Sequence, residues 1–145
     1  MSVAAEYNQL AEAAYQALSA VGGDPCQLPE PFRTVVLVDT AKGIIDNGGI
    51  KYFFEANFLF APDYSVFSSA FRNIGLTDAA DNIDWAVARL PFENPHLHPA
   101  KRNEFMVNVE SDPSSEFQSA GDRIMDDNQF DERVVSYAKN FGRAA

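Results

Sequence analysis

Carboxylates are the reactive groups that this chain concentrates. Glu104, Glu110, Asp112, Glu116, Asp122, Asp126, Asp127, Asp131 and Glu132 fall within 29 residues that contain a single base, Arg123. That stretch carries −8, whereas the other 116 positions hold 12 acids and 10 bases. On a helix, Asp122 stands beside Asp126, and Asp127 beside Asp131, at i, i+4. Such neighbours lie about 5–6 Å apart and repel by a few tenths of a kcal/mol. Keeping that repulsion points to a surface made to meet cations, with Glu116, Asp122, Asp126, Asp127, Asp131 and Glu132 as its candidate contact residues. A solvated acidic face that only keeps the protein dispersed fits the same residues.

Other groups offer less chemistry. No D-x-[DN]-x-[DN]-G loop accompanies the acids, so no calcium site is expected. His96 and His98 alternate in a proline-bound segment with Glu93 nearby. Zinc needs three or four ligands, so the histidines are read as exposed or locally hydrogen-bonded. Asn47-Gly48-Gly49 places glycines beside a helix start, where backbone N–H groups attract anions. It lacks the G-x-x-x-x-G-K-[ST] pattern, and Lys51 is its single nearby cation. Asp46 and Glu55 flank the corner, but nothing in their spacing makes them converge as an acid/base pair. With no G-x-S-x-G, H-E-x-x-H or Cys/His constellation, no catalytic residue, metal or cofactor is expected.

Charge narrows the partners. The net charge of −10 comes from 21 acids and 11 bases, which argues against direct binding to nucleic acid or to an anionic membrane. A basic protein surface would be attracted and steered. No apolar run reaches the roughly 18 residues of a membrane span. Glu6 and Glu12 stand where a signal peptide would be basic, and Cys26 is alone, so the expected compartment is a reducing cytoplasm.

The elements that must position these groups are legible in the apolar spacing. The chain of 145 residues has the length of one domain, with no repeat or long linker. Ser2 can cap a helix whose stripe is Val3, Tyr7, Leu10, Ala14, Leu18 and Val21, ended by Gly22-Gly23. The run Val35-Val36-Leu37-Val38 suits a buried strand, yet Phe32, Val35, Val36, Ile44 and Ile45 also fit a helix running into Asn47. After Gly48-Gly49, Ile50, Phe53, Phe54 and Asn57 recur as one helical face. Phe67, Ala70, Phe71 and Ile74 form the next helix, closed by Gly75. Thr77 is the expected N-cap of another, with Ile83, Ala86, Val87 and Leu90 buried, and Pro91 stopping it. A loop over residues 95–99 leads to a short helix with Phe105 and Val109. Phe117, Ile124 and Met125 suggest one more, and Phe130, Val134, Tyr137, Ala138 and Phe141 the last.

The block Asn47-Gly48-Gly49-Ile50-Lys51-Tyr52-Phe53-Phe54-Glu55-Ala56-Asn57 resembles the Asn-Gly-Gly-Phe-x-Gln-Phe-Phe-x-Asn signature of a bacterial all-helical family whose best-known member is a DNA-mimic protein. Ile50 stands where the signature has an aromatic, Tyr52 where it has Gln, and Asn57 one position beyond its Asn. Leu28-Pro29-Glu30-Pro31-Phe32-Arg33, Asn73-Ile74-Gly75, and Ile124-Met125-Asp126-Asp127 with Phe130 add to the likeness, which covers roughly residues 28–141. The resemblance implies an all-α fold, with residues 35–38 in a helix, and a DNA-mimic mode of action.

The expectation is therefore a single all-α domain over residues 1–145, a bundle of about six to eight helices, acting without catalysis. Asn47, Gly48, Gly49, Phe53, Phe54 and Asn57 form a structural corner. The downstream acids meet a basic partner, such as the DNA-binding face of a transcription regulator. Eight net charges match only about 14 Å of duplex at one charge per roughly 1.7 Å. A homodimer, or Asp63, Asp78, Asp81 and Asp84 on the same face, would extend the match. Two alternatives are an immunity or antidote protein that blocks a toxin, and a small-ligand or enzymatic role at the Asn-Gly-Gly corner.

Overall fold

The computed structural model describes residues 2–110 and 127–141. All regular structure among them is helical, as the resemblance implies. The helix suggested by Phe117, Ile124 and Met125 lies outside the described residues.

α1 (Val3–Ala20) starts at Ser2, whose hydroxyl accepts the Ala5 N–H at 3.1 Å. Tyr7 and Ala14 of its stripe are buried and Leu10, Leu18 and Val21 partly so, while Val3 stays exposed at the helix start. A 3₁₀ turn (Pro25–Gln27) leads to α2 (Phe32–Glu55), the central helix. α1, α3 and α5 all pack on it. That surrounding explains the strand-like run: Thr34, Val35, Val36, Leu37 and Val38 are buried in succession because this helix has no solvent face there. The strand alternative for residues 35–38 thus falls to tertiary packing.

At Gly48 (φ −155°, ψ 15°) and Gly49 (φ 75°, ψ −173°) the helical geometry of α2 breaks. Gly49 occupies a region essentially restricted to glycine. The break turns the second arm so that Ile50, Phe53 and Phe54 enter the core at 1% exposure or less. Phe53 meets Phe67 edge-on at 5.1 Å and Phe54 meets Tyr64 at 5.1 Å, both favourable ring geometries. Asn57, expected on the same helical face, lies beyond the helix end at Glu55. It belongs to the following loop instead.

α3 (Ser65–Asn73) begins with the Asp63 carboxylate accepting the Ser65 N–H at 2.9 Å. Its end is a Schellman closure: Leu76 N–H reaches the Phe71 carbonyl and Gly75 N–H the Arg72 carbonyl, with Gly75 at φ 80°. The chain then starts α4 (Thr77–Arg89) directly. Leu76, not Thr77, is its N-cap and no side chain caps it, because the preceding closure already fixes the backbone there. Ala79, Ala80, Ile83 and Ala86 of α4 are buried, and this helix packs on α3. A 3₁₀ turn (Pro95–Leu97) precedes α5 (Pro99–Glu110), which buries Arg102, Met106 and Val109. Finally α6 (Asp127–Phe141) lies along α1, burying Phe130, Val134 and Val135 and leaving Phe141 exposed.

The two glycine types in α2 give opposite expectations. Gly49→Ala should destabilise the protein by about 1–3 kcal/mol, because alanine cannot relax at that φ and ψ. Gly43→Ala, where a Cβ meets nothing within 4 Å, should stabilise by roughly 0.5–1 kcal/mol. Urea denaturation of the two variants checks the contrast. Equal effects of the two would contradict the corner.

Candidate functional site

The acids expected to meet a partner divide into two groups. Glu116, Asp122 and Asp126 lie outside the described residues. Asp127 opens α6, and Asp131 and Glu132 follow within it. Glu132 is exposed on a groove of about 440 Å³ between the end of α3 and α6, beside Asn73, Gln129 and Arg133. Asp131 is half-buried, and its charge helps to raise the pKa of the Tyr7 hydroxyl. Glu132 therefore faces solvent while Asp131 acts partly on the protein's own interior.

The basic residues are engaged within the protein, Lys42 and Arg102 in its interior and Arg72, Arg89, Lys101, Arg133 and Lys139 at its surface. Lys42 pairs with Asp46 at 2.5 Å and lies over the Phe130 ring, Lys51 pairs with Glu55 at 2.6 Å, and Lys139 with Glu6 at 2.6 Å. Arg72 holds both Asp81 and Asp84, at 2.8 and 2.7 Å. Arg33 donates to the Leu28 carbonyl and Arg133 to that of Gly75. Arg89 stacks over Trp85 and Lys101 over Phe92. Arg102 is buried among carbonyls. Thus every lysine and arginine among the described residues has an internal partner. By contrast, Glu12, Asp78, Glu93, Glu104 and Glu132 are exposed and form no ion pair among the described residues. Asp81 and Asp84, which could have extended an acidic face, are instead tied to Arg72. Asp46 and Glu55 are each tied to the lysine four residues before them, so they do not converge on one another.

Two polar constructions escaped the sequence reading. In the first, Asp39 of α2 accepts from the hydroxyls of both Tyr7 and Tyr15 of α1, the latter at 2.6 Å, with Thr40 beside Tyr15 at 3.1 Å. Burial, followed by the bond to Asp39, pushes Tyr15 up to about 12 and Tyr7 higher still. The i, i+8 spacing of the tyrosines was the available signal. In the second, Arg102 donates through Nε to the Phe54 carbonyl at 2.9 Å, through Nη1 to Pro95 at 2.7 Å, and through Nη2 to the Asn57 side chain at 2.7 Å. This guanidinium clamps the chain leaving the aromatic arm of α2 to the turn before α5.

At the corner itself, Asn47 is exposed on α2, and Ile50, Phe53 and Phe54 behind it are packed in the core. A cavity of about 230 Å³ lies at the other end of the block, lined by Asn57, Tyr64, His96 and Arg102 among others. His96 sits edge-on to Tyr64 with Nδ1 3.9 Å from Asp63, and His98 edge-on to Phe92. Among the described residues no three His, Cys, Asp or Glu side chains gather as a metal site. No helix among them is long and apolar enough to cross a membrane.

The paired phenols carry a pH signature. Each folded-state pKa is raised above the ordinary value of 10.0, so their contribution to stability is complete below about pH 10 and is lost as pH rises through 12 and beyond. Urea midpoints should fall across that window in the native protein, and less steeply in a Tyr7→Phe, Tyr15→Phe double variant. An unchanged alkaline slope in the double variant would contradict the Asp39 arrangement.

No curated protein and no solved structure matches the chain. A family model described as DMP19-like protein matches residues 26–141, spanning both glycines of the corner, the Arg102 clamp and α6. The chain therefore belongs to the DMP19-like protein family.

Proposed function

We propose that this protein works by binding, without catalysis, and that its acidic surface docks on the basic, DNA-binding face of a transcription regulator in place of DNA. The observation that carries this reading is the pairing of the basic residues within the protein itself. Each described lysine and arginine is engaged by the protein's own carboxylates, carbonyls or rings, whereas Glu12, Asp78, Glu93, Glu104 and Glu132 are exposed without an ion pair among the described residues. Membership of the DMP19-like family supports the same reading, since a DNA mimic must replace a line of phosphates by carboxylates.

The physics of such docking is familiar. Lysines and arginines arranged for phosphate oxygens donate equally well to carboxylates, through charge-assisted hydrogen bonds. Complementary fields raise the association rate, and the closest pairs set selectivity. Residues 104–132 supply the densest charge in the sequence. Within that stretch Glu132 is exposed at the α3–α6 groove, where it can meet a partner directly.

The test starts from a regulator captured at low salt. Its complex should be competed by the regulator's own duplex DNA and should weaken steeply with added salt. Replacing Glu116 by Gln and Asp122, Asp126 and Asp127 by Asn should weaken it about tenfold or more, mainly through slower association. Asp131 is left intact because its charge also acts at Tyr7. Binding that ignores salt, these substitutions and competing DNA would overturn the proposal.

A further inference from the structure

The cavity at the end of the aromatic block has features that packing alone does not require. Arg102 is 3% exposed, and all its acceptors are neutral: the carbonyls of Phe54, Ala56 and Pro95 and the amide oxygen of Asn57. No carboxylate pairs with it among the described residues, although the chain holds 21 acids. A buried cation without a counter-charge is costly. Of the five guanidinium N–H groups, these four contacts leave one on Nη1.

Tyr64 supplies an independent sign. It too is 3% exposed and lines the cavity, and its hydroxyl, without a hydrogen bond to the described residues, is open to solvent in that cavity rather than sealed in the core. Burial pushes its pKa up to about 12, so it remains a protonated donor at neutral pH. His96 lies edge-on to it and also lines the cavity. The lining also includes the apolar side chains of Phe58 and Leu97. The loop carrying Phe58 holds Phe60 at φ 68° and Ala61 at φ 42°. Left-handed backbone at two successive non-glycine residues is uncommon and costly, and such strain gathers at ligand clamps.

We propose that the cavity lined by Asn57, Tyr64, His96 and Arg102 binds a small carboxylate with a short apolar tail. The carboxylate supplies the charge that Arg102 lacks and accepts from the Tyr64 hydroxyl, and the tail lies against Phe58 and Leu97. A volume of about 230 Å³ holds roughly eight water-sized atoms at about 30 Å³ each, which suits a branched short-chain acid. Phosphate, with no apolar part and more acceptors than the wall has donors, fits poorly. This site is separate from the acidic surface and does not depend on a macromolecular partner.

Calorimetry and amide NMR on the full chain test it with isovalerate, using isovaleramide as the neutral isostere and inorganic phosphate as the competing anion. Isovalerate should bind saturably in roughly the millimolar range, with shifts confined to residues 54–64 and 94–102. The amide and phosphate should each bind at least about tenfold more weakly. Tyr64→Phe should lower isovalerate affinity about fivefold or more while leaving urea stability near the native value. No saturation by isovalerate, or amide or phosphate binding equal to it, overturns the proposal, as does unchanged affinity in a folded Tyr64→Phe variant. Should that variant fail to fold, the acid–amide–phosphate comparison in the native protein decides alone.

Discussion

The structure depends on a single backbone event, the break of α2 at Gly48-Gly49. A continuous helix would carry Phe53 and Phe54 past the core. With Gly49 at φ 75° and ψ −173°, the second arm swings so that both rings meet Tyr64 and Phe53 also meets Phe67. Three further features follow from that redirection. The arm ends where Arg102 can clamp the Phe54 carbonyl and Asn57, α3 starts immediately across the aromatic cluster, and the loop between them walls a cavity. Burying two phenylalanine side chains is worth roughly 1.5–3 kcal/mol each, enough to hold a backbone conformation that glycine reaches with little penalty.

Charge follows a different logic from packing. An acidic chain can still show a mixed surface if its few cations point outward. Here they are held by neighbours, two in the interior and most along the surface, and several have structural roles: Lys42 between Asp46 and Phe130, Arg102 among carbonyls, Arg133 at the end of α3. Exposed ion pairs such as Arg72 with Asp81 and Asp84 contribute little to stability. Their larger consequence is that no guanidinium there remains to offset the carboxylates elsewhere.

Local patterns in the sequence carried the helical elements well. The Gly-Gly corner, the Ser2 cap and the apolar stripes of α1, α3 and α6 depend on neighbours within a turn or two, and each is legible. The strand-or-helix ambiguity at residues 35–38 was not resolved by spacing, because a helix surrounded on all sides loses its amphipathic period. Thr77 misled for a related reason: a capping residue type is irrelevant where a Schellman closure already directs the chain. Arg102 and the Tyr7–Asp39–Tyr15 bridge went unseen, since their partners are 48 and 32 residues away. Acidic density was visible in the sequence, but the pairing of the basic residues within the protein was not.

The central claim is that contact with a partner falls on the acidic stretch while the aromatic corner only builds the fold. Hydrogen–deuterium exchange of the protein, free and bound to a captured regulator, addresses it most directly. The account predicts slowed exchange across residues 104–132 on binding, with residues 45–62 unchanged. Protection confined to residues 45–62, with the acidic stretch exchanging as in the free protein, would contradict it.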